Sequence, residues 1–88
     1  MANELPFPPQ AAAHPDGAEI ARIWVLDEEQ HVTLSPNLWD EPGMWGLMLV
    51  DLARHVAAAY EQRYGYSKED SLARIRECFD AEWATPTE

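Results

Sequence analysis

Apolar residues first cluster and then alternate in two segments, in the manner of β-strands. Residues 18–27 are rich in β-branched and aromatic side chains, which predicts a first strand. Residues 31–35 alternate between polar and apolar types, which predicts a second strand with Val32 and Leu34 facing inward. Between these segments, residues 27–30 form a polar break of hairpin-loop length. The first strand is apolar on both sides near its centre, so its inward face stays unassigned.

The periodicity then changes to that of helices. A long helix is predicted over residues 41–64, with Asp40 as its N-cap and Gly65 as the residue that ends it. At about 100° per residue, its core stripe contains Trp45, Leu49, Leu52, Val56 and Tyr60. A second helix is predicted over residues 68–83, after a sequence at residues 67–70 that resembles a capping box. Because the link is short, the two helices are expected to pack as an antiparallel hairpin.

The order of these elements predicts an α+β fold. Residues 1–17 hold four of the seven prolines, so they are expected to form an extended arm without helix or strand. Residues 18–83 are expected to form one domain in the order ββαα, with the two-stranded antiparallel hairpin packed on the helix pair. Residues 84–88 are expected to be a disordered tail. Two strands alone make a marginal sheet, so dimerisation through a strand edge would complete a larger one; cover by the arm or by the helices is the alternative.

Composition narrows the classes of partner. The chain has 88 residues, with 16 acidic and 6 basic side chains and a formal net charge of −10, which argues against nucleic-acid and anionic-membrane partners. No apolar run approaches the ~18 residues of a membrane span, and no signal peptide is recognisable, so a cytoplasmic location is expected. Cys78 is the single cysteine, and it and the three histidines show no metal-ligand spacing. We therefore expect neither a metal nor a cofactor.

Several residues remain on the long helix away from its core stripe. They are either ordinary surface residues or part of a second contact surface. Trp39, in the turn before the helix, either packs on the first helical turn or belongs to the rim of such a surface. The candidate interaction surface comprises Leu47, Val50, Arg54, Ala57, Ala58 and Trp39. This surface predicts a small non-enzymatic interaction or adaptor protein that forms a homo-oligomer or binds a protein partner.

A polar group on the same helix suggests the alternative function. Asp51 and His55 are four residues apart, so their side chains can meet, and Arg54 lies beside them. These three residues would serve a small-ligand or metal-dependent enzyme. No nucleophile stands in a recognisable catalytic context, so a structural helix pair is the simpler interpretation and no catalytic residue is assigned. The acidic run at residues 27–29 lacks the alternating pattern of a calcium loop and is interpreted as solvated.

Three segments also carry a family resemblance. Residues 39–57 (WDEPGMWGLMLVDLARHVA), residues 73–83 (ARIRECFDAEW) and the strand residues 22–25 (RIWV) resemble a family of short, acidic bacterial proteins of unknown function. The resemblance covers nearly the whole chain. It implies a bacterial single-domain protein and adds no activity, ligand or partner.

Overall fold

The computed structural model of the protein describes residues 4–85, which form two units. The first unit ends at Asp40 and the second begins at Glu41, inside the range predicted as one domain. In chain order the elements are α1 (Pro9–Ala13), β1 (Ala21–Leu26), β2 (Glu29–Leu34), α2 (Gly43–Tyr64) and α3 (Lys68–Ala84). The presence of a two-stranded antiparallel hairpin together with helices confirms the α+β class.

The hairpin turn is tighter than its sequence suggests. β1 and β2 pair antiparallel from Ala21–Leu34 to Leu26–Glu29, which leaves a turn of two residues. These residues, Asp27 and Glu28, have φ angles of 52° and 66°. Positive φ at both central positions is the geometry of a type I′ turn, whose usual signal is Asn-Gly. Because Asp-Glu lacks that signal, the four-residue loop predicted at residues 27–30 was too long.

The register divides the hairpin into two faces. One face holds Ile23, Val25, Val32 and Leu34, which we call the aliphatic hairpin face, and Trp24 and His31 lie opposite each other on the second face. The four aliphatic side chains are 56%, 72%, 47% and 54% exposed, whereas Trp24 is half-buried. Val32 and Leu34 do share a face, but the expectation that they point into a core was wrong. Alternation reports which residues share a face, and burial requires a second layer over that face.

The N-terminal arm contains a short helix that was not predicted. Residues 9–13 form α1, because proline is tolerated at the first position of a helix and the glutamine and alanines after it favour helix. Residues 4–8 have no regular structure and line an open groove along β1. Nη1 of Arg22 donates a hydrogen bond to the carboxylate of Glu4, and its Nε donates to Glu19 at 2.7 Å. The arm is therefore tied to β1 by an exposed ion pair.

α2 begins two residues later than predicted. Its N-cap is Pro42 and not Asp40, and Oε1 of Glu41 accepts a hydrogen bond of 2.9 Å from the backbone N–H of Gly43. Pro42 has helical backbone angles, and because proline has no N–H it leaves no unpaired backbone donor at this position. A carboxylate oxygen thus satisfies one of the backbone donors that every helix leaves open at its start.

The predicted end of α2 and start of α3 are confirmed. Gly65 adopts the left-handed conformation, with φ of 77°, and its N–H donates to the carbonyl of Glu61 at 2.9 Å. Oγ of Ser67 accepts a hydrogen bond of 3.0 Å from the N–H of Asp70, which caps α3. α3 then includes Ala84, the first residue of the predicted tail, while residues 86–88 lie outside the described part of the chain.

α2 and α3 pack on each other with little burial. Within residues 4–85, Ala57 is the one buried side chain. The predicted stripe is only partly covered, since Trp45 is half-buried and the four others are 36–45% exposed. Many apolar side chains on these helices therefore remain accessible.

Candidate functional site

The predicted interaction surface is exposed on one part of α2. Leu47 and Val50 are 63% and 50% exposed, and the guanidinium of Arg54 also lies in solvent. Position 50 lies three residues after position 47 and four before position 54, so the three side chains share one side of the helix. We call these three residues the α2 patch.

Three residues predicted for the same surface do not belong to the α2 patch. Ala57 is fully buried and Ala58 is half-buried. A methyl group reaches little beyond the helix backbone, so an alanine is covered where longer neighbours reach solvent. Trp39 is half-buried and belongs to the unit that ends at Asp40. The accessible surface is therefore narrower than the sequence suggested.

The polar group of α2 is arranged differently from the predicted pair. Asp51 forms an ion pair with Arg54, with 3.5 Å between Oδ1 and Nη1. Both partners are exposed, so the pair contributes little to stability. None of the three side chains lines either of the two grooves along β1 and between α2 and α3. Residues 4–85 contain no group of three or more His, Cys, Asp or Glu side chains placed to hold a metal ion.

A tyrosine cluster at the end of α2 was missed by sequence reasoning. The rings of Tyr60, Tyr64 and Tyr66 lie with centroids 5.3–6.4 Å apart, and the guanidinium of Arg63 stands 5.6 Å from the centroid of Tyr64. The i,i+4 spacing of the first two tyrosines was the available signal. Tyr66 lies beyond the predicted end of the helix at residue 64, so helical periodicity does not group it with the other two tyrosines.

A shallow groove of about 490 Å³ runs from this cluster between α2 and α3. Its lining residues are Val56, Tyr60, Tyr66, Asp70, Ser71, Arg74, Ile75 and Cys78. Glu77 accepts a hydrogen bond from Arg74 and thereby raises the pKa of that guanidinium. Two residues farther along α3, Nε of Arg76 donates to the carboxylate of Asp80 at 2.9–3.0 Å. Basic side chains of α3 are thus engaged by neighbouring carboxylates.

None of the helices within residues 4–85 combines the length and the apolar character that crossing a membrane requires.

Comparison with known proteins identifies the family. One similar solved structure is described as a "putative pyruvate dehydrogenase" from the photosynthetic bacterium Rhodopseudomonas palustrus CGA009, and its sequence is 36% identical. The TM-score is 0.74, and the match covers 100% of this chain and 90% of that chain. No curated protein matches the sequence. The model of a domain of unknown function, DUF5076, matches residues 4–87, which confirms the resemblance to uncharacterised proteins. The chain therefore belongs to the DUF5076 family.

Proposed function

We propose that this protein is a small non-enzymatic interaction module that forms a homodimer through the α2 patch. The exposure of Leu47 and Val50 on one side of α2 carries the proposal. Exposed apolar side chains that share one side of a helix offer area that a contact with another protein can bury. In a symmetric dimer each residue of such a patch contributes twice, because the two copies present the same surface.

The size of the α2 patch sets the strength of this association. Full burial of an aliphatic side chain is worth about 1.5–3 kcal/mol, so covering the exposed parts of Leu47 and Val50 in both copies is worth about 5 kcal/mol. Association costs about 4–15 kcal/mol in lost translational and rotational freedom. The α2 patch alone therefore gives a weak dimer, and a stable one needs a second contact.

The expected location is part of the same proposal. Cys78 is the only cysteine of the sequence, and its thiol is exposed. A free exposed thiol is compatible with a reducing compartment. We place the module in the cytoplasm, where its strong negative charge would limit unspecific association.

The test is the molar mass of the wild type by light scattering from low micromolar to millimolar concentration. We expect the mass to rise from 10.0 kDa toward twice that value. Val50→Glu should weaken dimerisation at least about tenfold, because it removes buried aliphatic area and places a carboxylate in the contact twice. The monomer should keep its helical circular dichroism, since Val50 is half exposed there.

Gln62→Glu is the matched control, because it adds the same charge to an exposed position on another side of α2. This variant should dimerise like the wild type. A wild-type mass of 10.0 kDa at every concentration would contradict the proposal. Equal weakening by both variants would also contradict it, because net charge and not the α2 patch would then control association.

A further inference from the structure

β2 has an open edge. In an antiparallel hairpin with a two-residue turn, backbone groups point alternately toward and away from the partner strand. The hydrogen bond of 2.9 Å from the N–H of Ser35 to the carbonyl of Ile20 fixes the phase of this alternation. The N–H and C=O groups of Gln30, Val32 and Leu34 therefore point away from β1. Among the described residues β2 has one sheet neighbour, and all six of its residues are exposed.

β1 is different, because its residues and residues 4–8 of the arm line a common groove. The carboxylate of Glu4 also accepts a hydrogen bond from Arg22 in β1. β1 is partly occupied by its own chain, whereas β2 is open. An exposed strand edge is a template for pairing with another strand, and the same edge on an identical chain is available at the same concentration.

We infer that a second copy of this chain pairs with β2, edge to edge and antiparallel, with Val32 on the two-fold axis. The result is a four-stranded sheet with the order β1-β2-β2-β1. This inference rests on the proposed self-association of the chain.

Hydrogen-bond geometry selects this register. The two aliphatic hairpin faces lie on the same side of the combined sheet when the two-fold axis is perpendicular to that sheet. Even-numbered residues of β2 then lie opposite even-numbered residues of the second copy, and odd-numbered residues lie opposite odd-numbered ones. The axis can then pass through His31, Val32 or Thr33. An axis through Val32 places all three outward-pointing residues of one copy opposite those of the other, which allows about six hydrogen bonds. Each of the other two axes leaves one of the three without a β2 partner and allows about four.

Side-chain chemistry favours the same register. An axis through Val32 places Gln30 opposite Leu34, His31 opposite Thr33 and Glu29 opposite Ser35 of the second copy, so no like charges face each other. An axis through His31 places two imidazoles opposite each other, which is unfavourable when they are protonated. An axis through Thr33 places Gln30 opposite Pro36, which has no N–H to donate.

Disulfide cross-linking tests the register directly. In a Cys78→Ser background, Val32→Cys would place two thiols on residues whose Cα atoms are about 5.5 Å apart, within the range that a disulfide spans. Gln30→Cys is the control, because the two copies of position 30 would lie about 14 Å apart. We expect the Val32→Cys protein to form a covalent dimer at least about tenfold faster under mild oxidation. Equal rates for the two variants would overturn the inference.

A charge placed at the edge tests the contact without a cross-link. Val32→Lys would set two ammonium groups opposite each other on the axis and should raise the dimer dissociation constant at least about tenfold. Val25→Lys, on the same face but in β1, should leave the dissociation constant unchanged. Circular dichroism of both variants would show that the fold is retained.

The outcomes separate this inference from the proposed function. A dimer that Val50→Glu weakens and Val32→Lys leaves intact would overturn pairing through β2 and support the α2 patch alone. Equal weakening by Val32→Lys and Val25→Lys would also overturn it, because the aliphatic hairpin face and not its edge would then be in contact. A wild type that is monomeric throughout would contradict both proposals.

Discussion

Gly65 offers the sharpest test of how local geometry stabilises this chain. It ends α2 with φ of 77° and ψ of 10°, a conformation in which an L side chain is strained. A Cβ built on this residue meets no atom within 4 Å, so Gly65→Ala adds no steric clash. The cost therefore comes from the backbone alone and should be about 1 kcal/mol, up to about 2 kcal/mol.

Gly46 provides a control of opposite sign. It lies inside α2 with ordinary helical geometry, and a Cβ there also meets nothing within 4 Å. Gly46→Ala should therefore stabilise the chain by about 0.5–1 kcal/mol, because alanine loses less backbone entropy in a helix than glycine does. The two variants make the same chemical change in equally open space and differ only in backbone conformation.

Urea and thermal unfolding, followed by circular dichroism at one protein concentration, would measure both effects. For a chain of this size 1 kcal/mol shifts the Tm by about 4–8 °C, so we expect Gly65→Ala to melt below the wild type and Gly46→Ala above it. Shifts of the same sign would refute the reasoning. A loss well above 2 kcal/mol at Gly65 would do so too, because it would require a packing contact that the structure does not contain.

Two further substitutions test the other local signals. Ser67→Ala removes the side chain that accepts the N–H of Asp70 and should lower the free energy of unfolding by about 1 kcal/mol, measured by urea titration, whereas Ser67→Asp should restore it. Glu28→Gly relieves the positive φ of 66° in the hairpin turn and should raise that free energy by about 0.5–1 kcal/mol. The same change at Glu29, inside β2, should lower it, and a gain at both positions would contradict the assigned turn.

The two proposed contacts can be tested in one double variant. β2 and the α2 patch lie on different units, and the side chains of both are exposed. A lysine at Val32 and a glutamate at Val50 therefore act on separate contacts, and their effects on dimerisation should add.

Local signals in the sequence determined much of the secondary structure. The end of α2 at Gly65 and the cap of α3 at Ser67 were predicted correctly, because left-handed φ and N-terminal donors are preferences of single residues. The two strands were also found, the first from its β-branched and aromatic residues and the second from its alternation of polar and apolar residues. The family resemblance, carried by long segments of sequence, is confirmed over residues 4–87.

Local signals failed where the residues allow more than one backbone conformation, as in the hairpin turn and in the N-terminal arm. Asp27 and Glu28 form a tight turn without the glycine that normally marks it, so β2 begins at Glu29, two residues earlier than predicted. α1 forms in the proline-rich arm because a proline at the first helical position removes no hydrogen bond of the helix that follows. In both places the residue types allow the observed backbone conformation but do not specify it.

Burial was decided by the tertiary structure. Periodicity correctly grouped Val32 with Leu34, yet these side chains are exposed, while Ala57, assigned to an outer surface, is fully buried. The pairing of Asp51 with Arg54 and the joining of Tyr66 to the tyrosines of α2 likewise depend on rotamers and on the path of the link. A sequence pattern states which residues point the same way, but whether that direction meets protein or water depends on elements that are distant in the chain.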